Sequence, residues 1–117
     1  MEENLSFDQV ERPWGCFRSF TKNKPSTVKI LEIKPNEILS LQSHEHRSEF
    51  WYVISGGGYF EVDGEKTKVE EGNEQYIAVR AKHRMSSLDK GMRVLEISFG
   101  DFDEEDEIKY EDKYGRA

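Results

Sequence analysis

The chain has three histidines, and two of them, His44 and His46, stand two residues apart. On a β-strand alternate side chains share a face, so this spacing puts both imidazoles on one side. Gln42 has the same parity. Glu49 follows three residues after His46 and needs a bend near Arg47 and Ser48 to reach that side. His83 lies far downstream, where a later strand can bring it back. A lone histidine is more often an ordinary hydrogen-bonded residue than a ligand. The pair, the acid and the distant third together point to a divalent transition metal held by His44, His46, Glu49 and His83, with positions open for water or substrate.

The elements that must position these residues read as strands. Residues 49–55 (EFWYVIS) are a short apolar run rich in aromatic and β-branched side chains, bounded by Gly56, Gly57 and Gly58. Such a run is too short for a globular helix and suits a strand buried on both faces, with the glycines making a turn. Asp63-Gly64 between residues 59–62 and 65–69 is a strong hairpin signal. Residues 27–33 end at Lys34-Pro35, where proline blocks continuation. Residues 38–46, 75–79 and 93–99 complete the set. In the last, Leu95, Ile97 and Phe99 share one face, and Glu96 and Ser98 the other. Many short strands between turn residues predict an all-β sandwich or barrel. Residues 103–112 have two readings: a short helix with an acidic first turn, or a solvated segment lying across the barrel.

A length of 117 residues predicts one domain over 1–117, with an N-terminal arm over 1–10 and an acidic tail over 100–117. Residues 100–112 hold eight acids and one base, so they carry the whole net charge of −7 and the rest sums to zero. A local cationic pocket for an anionic ligand is therefore compatible with the acidic total. No basic stripe or recognition motif suggests nucleic-acid binding. No apolar run is long enough to cross a membrane, and the polar N-terminus does not read as a signal peptide. A single cysteine, Cys16, leaves no internal disulfide and reads as a small buried hydrophobe. The expected location is the cytoplasm. Trp14, in Arg12-Pro13-Trp14-Gly15, reads as a packing anchor where the chain enters the barrel, and Tyr114 and Arg116 as tethers of the tail.

Residues 44–49, then six residues to Gly56, resemble the first cupin motif, and His83 resembles the histidine of the second. Residues 39–51 (LSLQSHEHRSEFW) are similar to the signature of type II mannose-6-phosphate isomerases. Residues 12–15, the surroundings of His83-Arg84 and of residues 95–97, and residues 105–116 are similar to other motifs of that family. Departures from its usual pattern are Phe50 for histidine, Asn36 for glycine, Ala78 and Arg80 in a Pro-x-Gly, Ser86-Ser87 for Glu-Asn, and Ser98 for glutamine.

The resemblance implies a cupin jelly-roll barrel, a divalent metal (Zn, Mn, Co, Ni or Fe) and a sugar-phosphate substrate. It also implies a homodimer. The implied reaction interconverts mannose 6-phosphate and fructose 6-phosphate in polysaccharide precursor metabolism. Two alternatives stand beside it: a non-catalytic sugar- or sugar-nucleotide-binding cupin partnering a separate nucleotidyltransferase, and another metal-cupin enzyme, an epimerase or oxygenase. Lys29 matches a family lysine that binds substrate or transfers a proton. Arg47 and Arg84 are candidates for the substrate phosphate, although strand alternation next to a ligand turns each away from the metal. Glu96 is the candidate acid outside the metal set. By analogy with type I mannose-6-phosphate isomerases, which use a Gln-x-His pair, a second ligand set is Gln42, His44, Glu49 and His83. Strand parity does not decide between the two sets.

Overall fold

The computed structural model describes residues 7–115. Residues 1–6 of the expected arm, and Arg116, lie outside them. Within the described residues nine strands follow in order: β1 (Val10–Arg12), β2 (Gly15–Phe17), β3 (Ser26–Ile33), β4 (Leu41–Ser43), β5 (Ser48–Val62), β6 (Glu65–Glu70), β7 (Glu74–Ile77), β8 (His83–Phe99) and β9 (Ile108–Glu111). Among the described residues there is no helix. No helix is therefore long and apolar enough to cross a membrane. The helical reading of residues 103–112 is corrected. Pairing of their second half with β4 satisfies the backbone that a helix would have bonded internally.

Two long antiparallel strands, β5 and β8, form the spine. β6 and β7 pair with β5, and β3 pairs with the second half of β8, setting Lys29 opposite Glu96. β4 meets β8 at Gln42–His83 and carries β9 on its other edge. The start of β5 is buried on both faces, as its composition implies. Trp51 and Val53 enter the main core with Phe60, Ile77, Met85, Met92 and Val94. Phe50 points the other way, into an aromatic group with Phe7 and Phe20 at centroid distances of 4.9 and 5.5 Å. Trp51 meets Phe60 edge-on at 4.8 Å. Such pairs add about 0.5–1.5 kcal/mol beyond the area they bury.

The glycines do not make the expected turn. β5 runs through them with register shifts at Val53/Ser55 and Gly56/Gly58. A Cβ on Gly56 would strike the carbonyl oxygen of Gly91, and one on Gly58 that of Ser86. Glycine here permits two backbones to touch, so one strand bends and serves both halves of the sheet. The Asp63-Gly64 hairpin does form, with φ of 48° and 86°, the left-handed pair that a tight two-residue loop requires. Two packing expectations are corrected. Trp14 is 73% exposed and stacks on Phe17 within the β1–β2 hairpin, and Cys16 on the same hairpin is exposed. With side chains on two short strands and no third strand paired to them among the described residues, burial is not available there.

Candidate metal centre

His44, Glu49 and His83 come together in one buried pocket, with one ligand atom from each lying within 4.8 Å of the others. His44 Nε2 is 3.4 Å from Glu49 Oε2, and His83 Nε2 is 3.7 Å from Glu49 Oε1. Three local features fix them. Glu49 faces inward from the first turn of the pleat in β5, and Trp51, two residues on and on the same face, donates its indole N–H to Glu49 Oε1 at 3.1 Å. His83 opens β8, and its Nδ1 meets the carbonyl of Ala81 at 2.9 Å. His44 follows β4, and its Nδ1 meets the carbonyl of Asp106 at 2.7 Å. A carbonyl only accepts, so both rings carry their proton on Nδ1 and present the Nε2 lone pair toward Glu49.

Electrostatics favours the ligating forms of the imidazoles. Burial lowers the pKa of His44, and takes that of His83 down to about 4. Both rings are therefore neutral at physiological pH. Burial raises the Glu49 carboxyl, against the pull of the Trp51 indole and the Arg47 guanidinium. Glu96, also facing the pocket, is pushed up to about 7 by burial and by the charge of Glu49 beside it. Below that pH Glu96 carries a proton and donates it to Glu49. Two neutral imidazoles and a carboxylate, with backbone carbonyls orienting the rings, are a donor set that fits a divalent ion of the zinc or iron type with positions left open.

His46 does not join them. It is exposed, because β4 ends at Ser43 and period-two alternation ends with it. Residues 44–47 form a bend pinned by Asp106, whose carboxylate accepts the backbone N–H of Glu45 at 2.8 Å and of His46 at 2.9 Å. Those bonds hold the Asp106 carboxyl below its usual range. The bend turns Arg47 inward instead. Its Nη2 lies 3.4 Å from His44 Nε2, its Nε 3.5 Å from Glu49 Oε2, and its Nη1 donates to the Asp103 carbonyl at 3.0 Å. The expectation that alternation turns Arg47 away is thereby corrected. Gln42, paired across from His83, lines the pocket and donates to Ser40 Oγ at 2.9 Å.

Lys29 and Glu96 also line the pocket, from neighbouring strands. Arg84 forms part of its wall, with Nε on the Leu39 carbonyl and Nη1 on Glu111 Oε1. Its donors thus serve β9 and the chain before β4. Sequence reasoning missed Phe102, Glu104 and Glu107, which line the mouth from the acidic tail. A lone aromatic in an acidic run gives no periodic signal. Trp51 was legible, since its parity with Glu49 places it on the same face.

The departures from the family pattern are accommodated locally. Phe50 faces the aromatic group, away from the pocket. Asn36 and Arg80 replace glycines and keep left-handed backbones, with φ of 57° and 67°. Asparagine tolerates this conformation better than arginine does. Ser98, opposite Glu49 in the β5–β8 register, is buried and its Oγ has no hydrogen-bond partner among the described protein atoms.

Residues 1–112 match the family described as Mannose-6-phosphate isomerase C-terminal. The chain is 36% identical over 111 residues to mannose-1-phosphate guanylyltransferase ManC of Salmonella typhimurium, covering 93% of this chain and 23% of that protein. It is 36% identical over 117 residues to alginate biosynthesis protein AlgA of Pseudomonas aeruginosa, covering 98% and 24%. The chain thus spans about a quarter of the length of these curated relatives. A cupin protein from Bacteroides fragilis superposes with a TM-score of 0.61 at 20% identity, covering 86% of this chain and 82% of that one. The expected all-β cupin fold is the fold observed, and the chain belongs to the Mannose-6-phosphate isomerase C-terminal family.

Proposed function

We propose that the protein is a metal-dependent sugar-phosphate isomerase, with mannose 6-phosphate and fructose 6-phosphate as its pair. The observation that carries this reading is convergence on one pocket: His44, Glu49 and His83 offer ligand atoms within 4.8 Å of one another, and Glu96, Lys29 and Arg47 line the same pocket. In this reading the ion is held by His44, Glu49 and His83, with Gln42 as the fourth candidate in preference to the exposed His46. A divalent ion bound there polarises a carbonyl and stabilises a developing oxyanion.

The chain's own residues supply the rest. Trp51 and the two backbone carbonyls orient the ligands. Aldose–ketose isomerisation moves a proton between adjacent carbons, and Glu96 is the proposed carrier. Burial and the neighbouring Glu49 raise its carboxyl to about 7 in the metal-free protein, toward the range in which a carboxyl exchanges a proton near neutrality. Lys29 and Arg47 orient the phosphate. Arg84 holds the wall in place. A homodimer, implied by the cupin resemblance, belongs to the same proposal, and sedimentation velocity tests it.

A coupled assay for fructose 6-phosphate formed from mannose 6-phosphate, run with Mn²⁺, Co²⁺ and Zn²⁺ and after chelation, tests the activity. Metal-dependent turnover is expected, and none with any ion contradicts it. The alternative of a non-catalytic sugar-binding partner draws support from Arg47, whose charge already lies against His44 and Glu49. It is favoured if sugar phosphate binds without turnover.

A further inference from the structure

Phe102 lies half-buried in the tail and lines the pocket mouth. Lys29 Nζ stands 4.3 Å from its ring centroid, and the guanidinium carbon of Arg47 stands 4.4 Å from it. These cations come from β3 and from the bend before β5, and they repel each other. The negative face of an aromatic ring attracts both. The same stretch of tail supplies both cations with acceptors. Glu104 Oε2 is 3.9 Å from Lys29 Nζ, and the Asp103 carbonyl accepts from Arg47. The Glu104 side chain is 80% exposed, so this ion pair is weak and exchangeable. The pocket volume is only about 180 Å³. That is below the usual ~300–1,000 Å³ of a ligand pocket, and Phe102, Glu104 and Glu107 are among the residues that line it.

We propose that Phe102 is a positioning residue that holds Lys29 and Arg47 as one anion-binding pair, and that Glu104 is their resident counter-ion, displaced by the phosphate of an incoming ligand. This rests on the sugar-phosphate reading and deepens it, naming where the phosphate binds and what it displaces. It implies opposite signs for two neighbouring positions. Loss of the ring separates the cations and weakens phosphate binding. Loss of the Glu104 charge removes a competitor and strengthens it. A strap with a purely structural role would weaken binding at both.

The test titrates the full chain with inorganic phosphate, mannose 6-phosphate and neutral mannose by calorimetry at low salt. Phe102→Leu keeps the apolar volume without the ring, Phe102→Tyr keeps the ring, and Glu104→Gln removes the charge. Phe102→Leu is expected to weaken both phosphate probes by about five- to ten-fold, with Phe102→Tyr close to the parent. Glu104→Gln is expected to tighten them by about two- to five-fold, a gain that fades as salt screens the exposed pair. Mannose binding is expected to be the same throughout. In NMR spectra the Lys29 ε-methylene protons are expected to be ring-shielded in the parent and in Phe102→Tyr, but not in Phe102→Leu. Unshielded Lys29 protons in the parent would overturn the inference without reference to any ligand. So would equal phosphate affinities across the set, or parallel losses for mannose and phosphate. If the parent shows shielding but binds no phosphate probe, the sugar-phosphate reading falls, and the inference with it.

Discussion

The floor and the rim of the pocket are built differently. The floor is made by strands β5 and β8 and the end of β4, with each ligand candidate held by a hydrogen bond: to the Ala81 carbonyl, to the Asp106 carbonyl of the tail, and from the Trp51 indole. The rim is made by Lys29, Phe102 and Glu104, joined by one exposed ion pair and by contacts of Lys29 and the buried Arg47 to one ring. Buried, hydrogen-bonded groups are costly to disturb, and exposed pairs are cheap to rearrange. The floor is therefore suited to holding an ion, and the rim to admitting and releasing a charged ligand.

The largest effects are expected on the floor. Glu49→Gln and His83→Ala should each lower metal affinity by more than the ~10–100-fold typical of losing an outer partner. Elemental analysis after gel filtration checks this, and parental metal content in either variant would break the contrast. Arg47 connects the two regions. Its cation lies against two candidate ligands, so Arg47→Met should raise metal affinity by about ten-fold while weakening phosphate binding. Metal affinity that is unchanged or lower would show that Arg47 does not compete.

Glu96 gives a pH signature in the chelated protein. Its pKa rises from 4.5 to about 7 on folding, so the folded state keeps a proton that the unfolded chain releases. Stability from this group falls as pH rises through that window. His83, lowered from 6.5 to about 4, acts oppositely: stability falls as pH drops from 6.5 toward 4. Glu96→Gln removes only the first trend. Relative to the parent, its urea midpoint should gain as pH rises from 5 to 8, and a constant difference would contradict the assignment.

Smaller effects lie away from both layers. Arg80 holds φ at 67° on an exposed bend, and its ion pair with Glu45 is exposed. Arg80→Gly should stabilise by about 1 kcal/mol, as relief of left-handed strain exceeds the loss of a surface pair. Thermal unfolding checks the sign. His46→Ala should leave metal content and turnover at parental values, and His44→Ala should not.

The contrast also marks how far the sequence could be read. Strand composition at residues 49–55 and the Asp63-Gly64 pair led directly to the first half of β5 and to its hairpin with β6. The floor was legible because a histidine pair, an acid three residues on and a distant histidine are the residue types a metal needs, and the bend at residues 44–47 and the start of β8 bring three of them together. His46 was misplaced because parity fails once β4 ends, and the Asp106 carboxylate that pins the bend comes from 60 residues away. The glycine run was read as a turn because close approach of Gly91 and Ser86 leaves no local mark. Lys29 and Arg47 were named as candidates, but their meeting at Phe102 was illegible for the same reason: nothing near Phe102 in the chain announces them as its neighbours.

Anomalous diffraction from crystals of the metal-loaded protein tests the central claim most directly. The result expected is one peak about 2.0–2.2 Å from the Nε2 atoms of His44 and His83 and from the Glu49 carboxylate, with His46 remote from it. A peak bonded to His46, or no peak at the floor of the pocket, would contradict the claim.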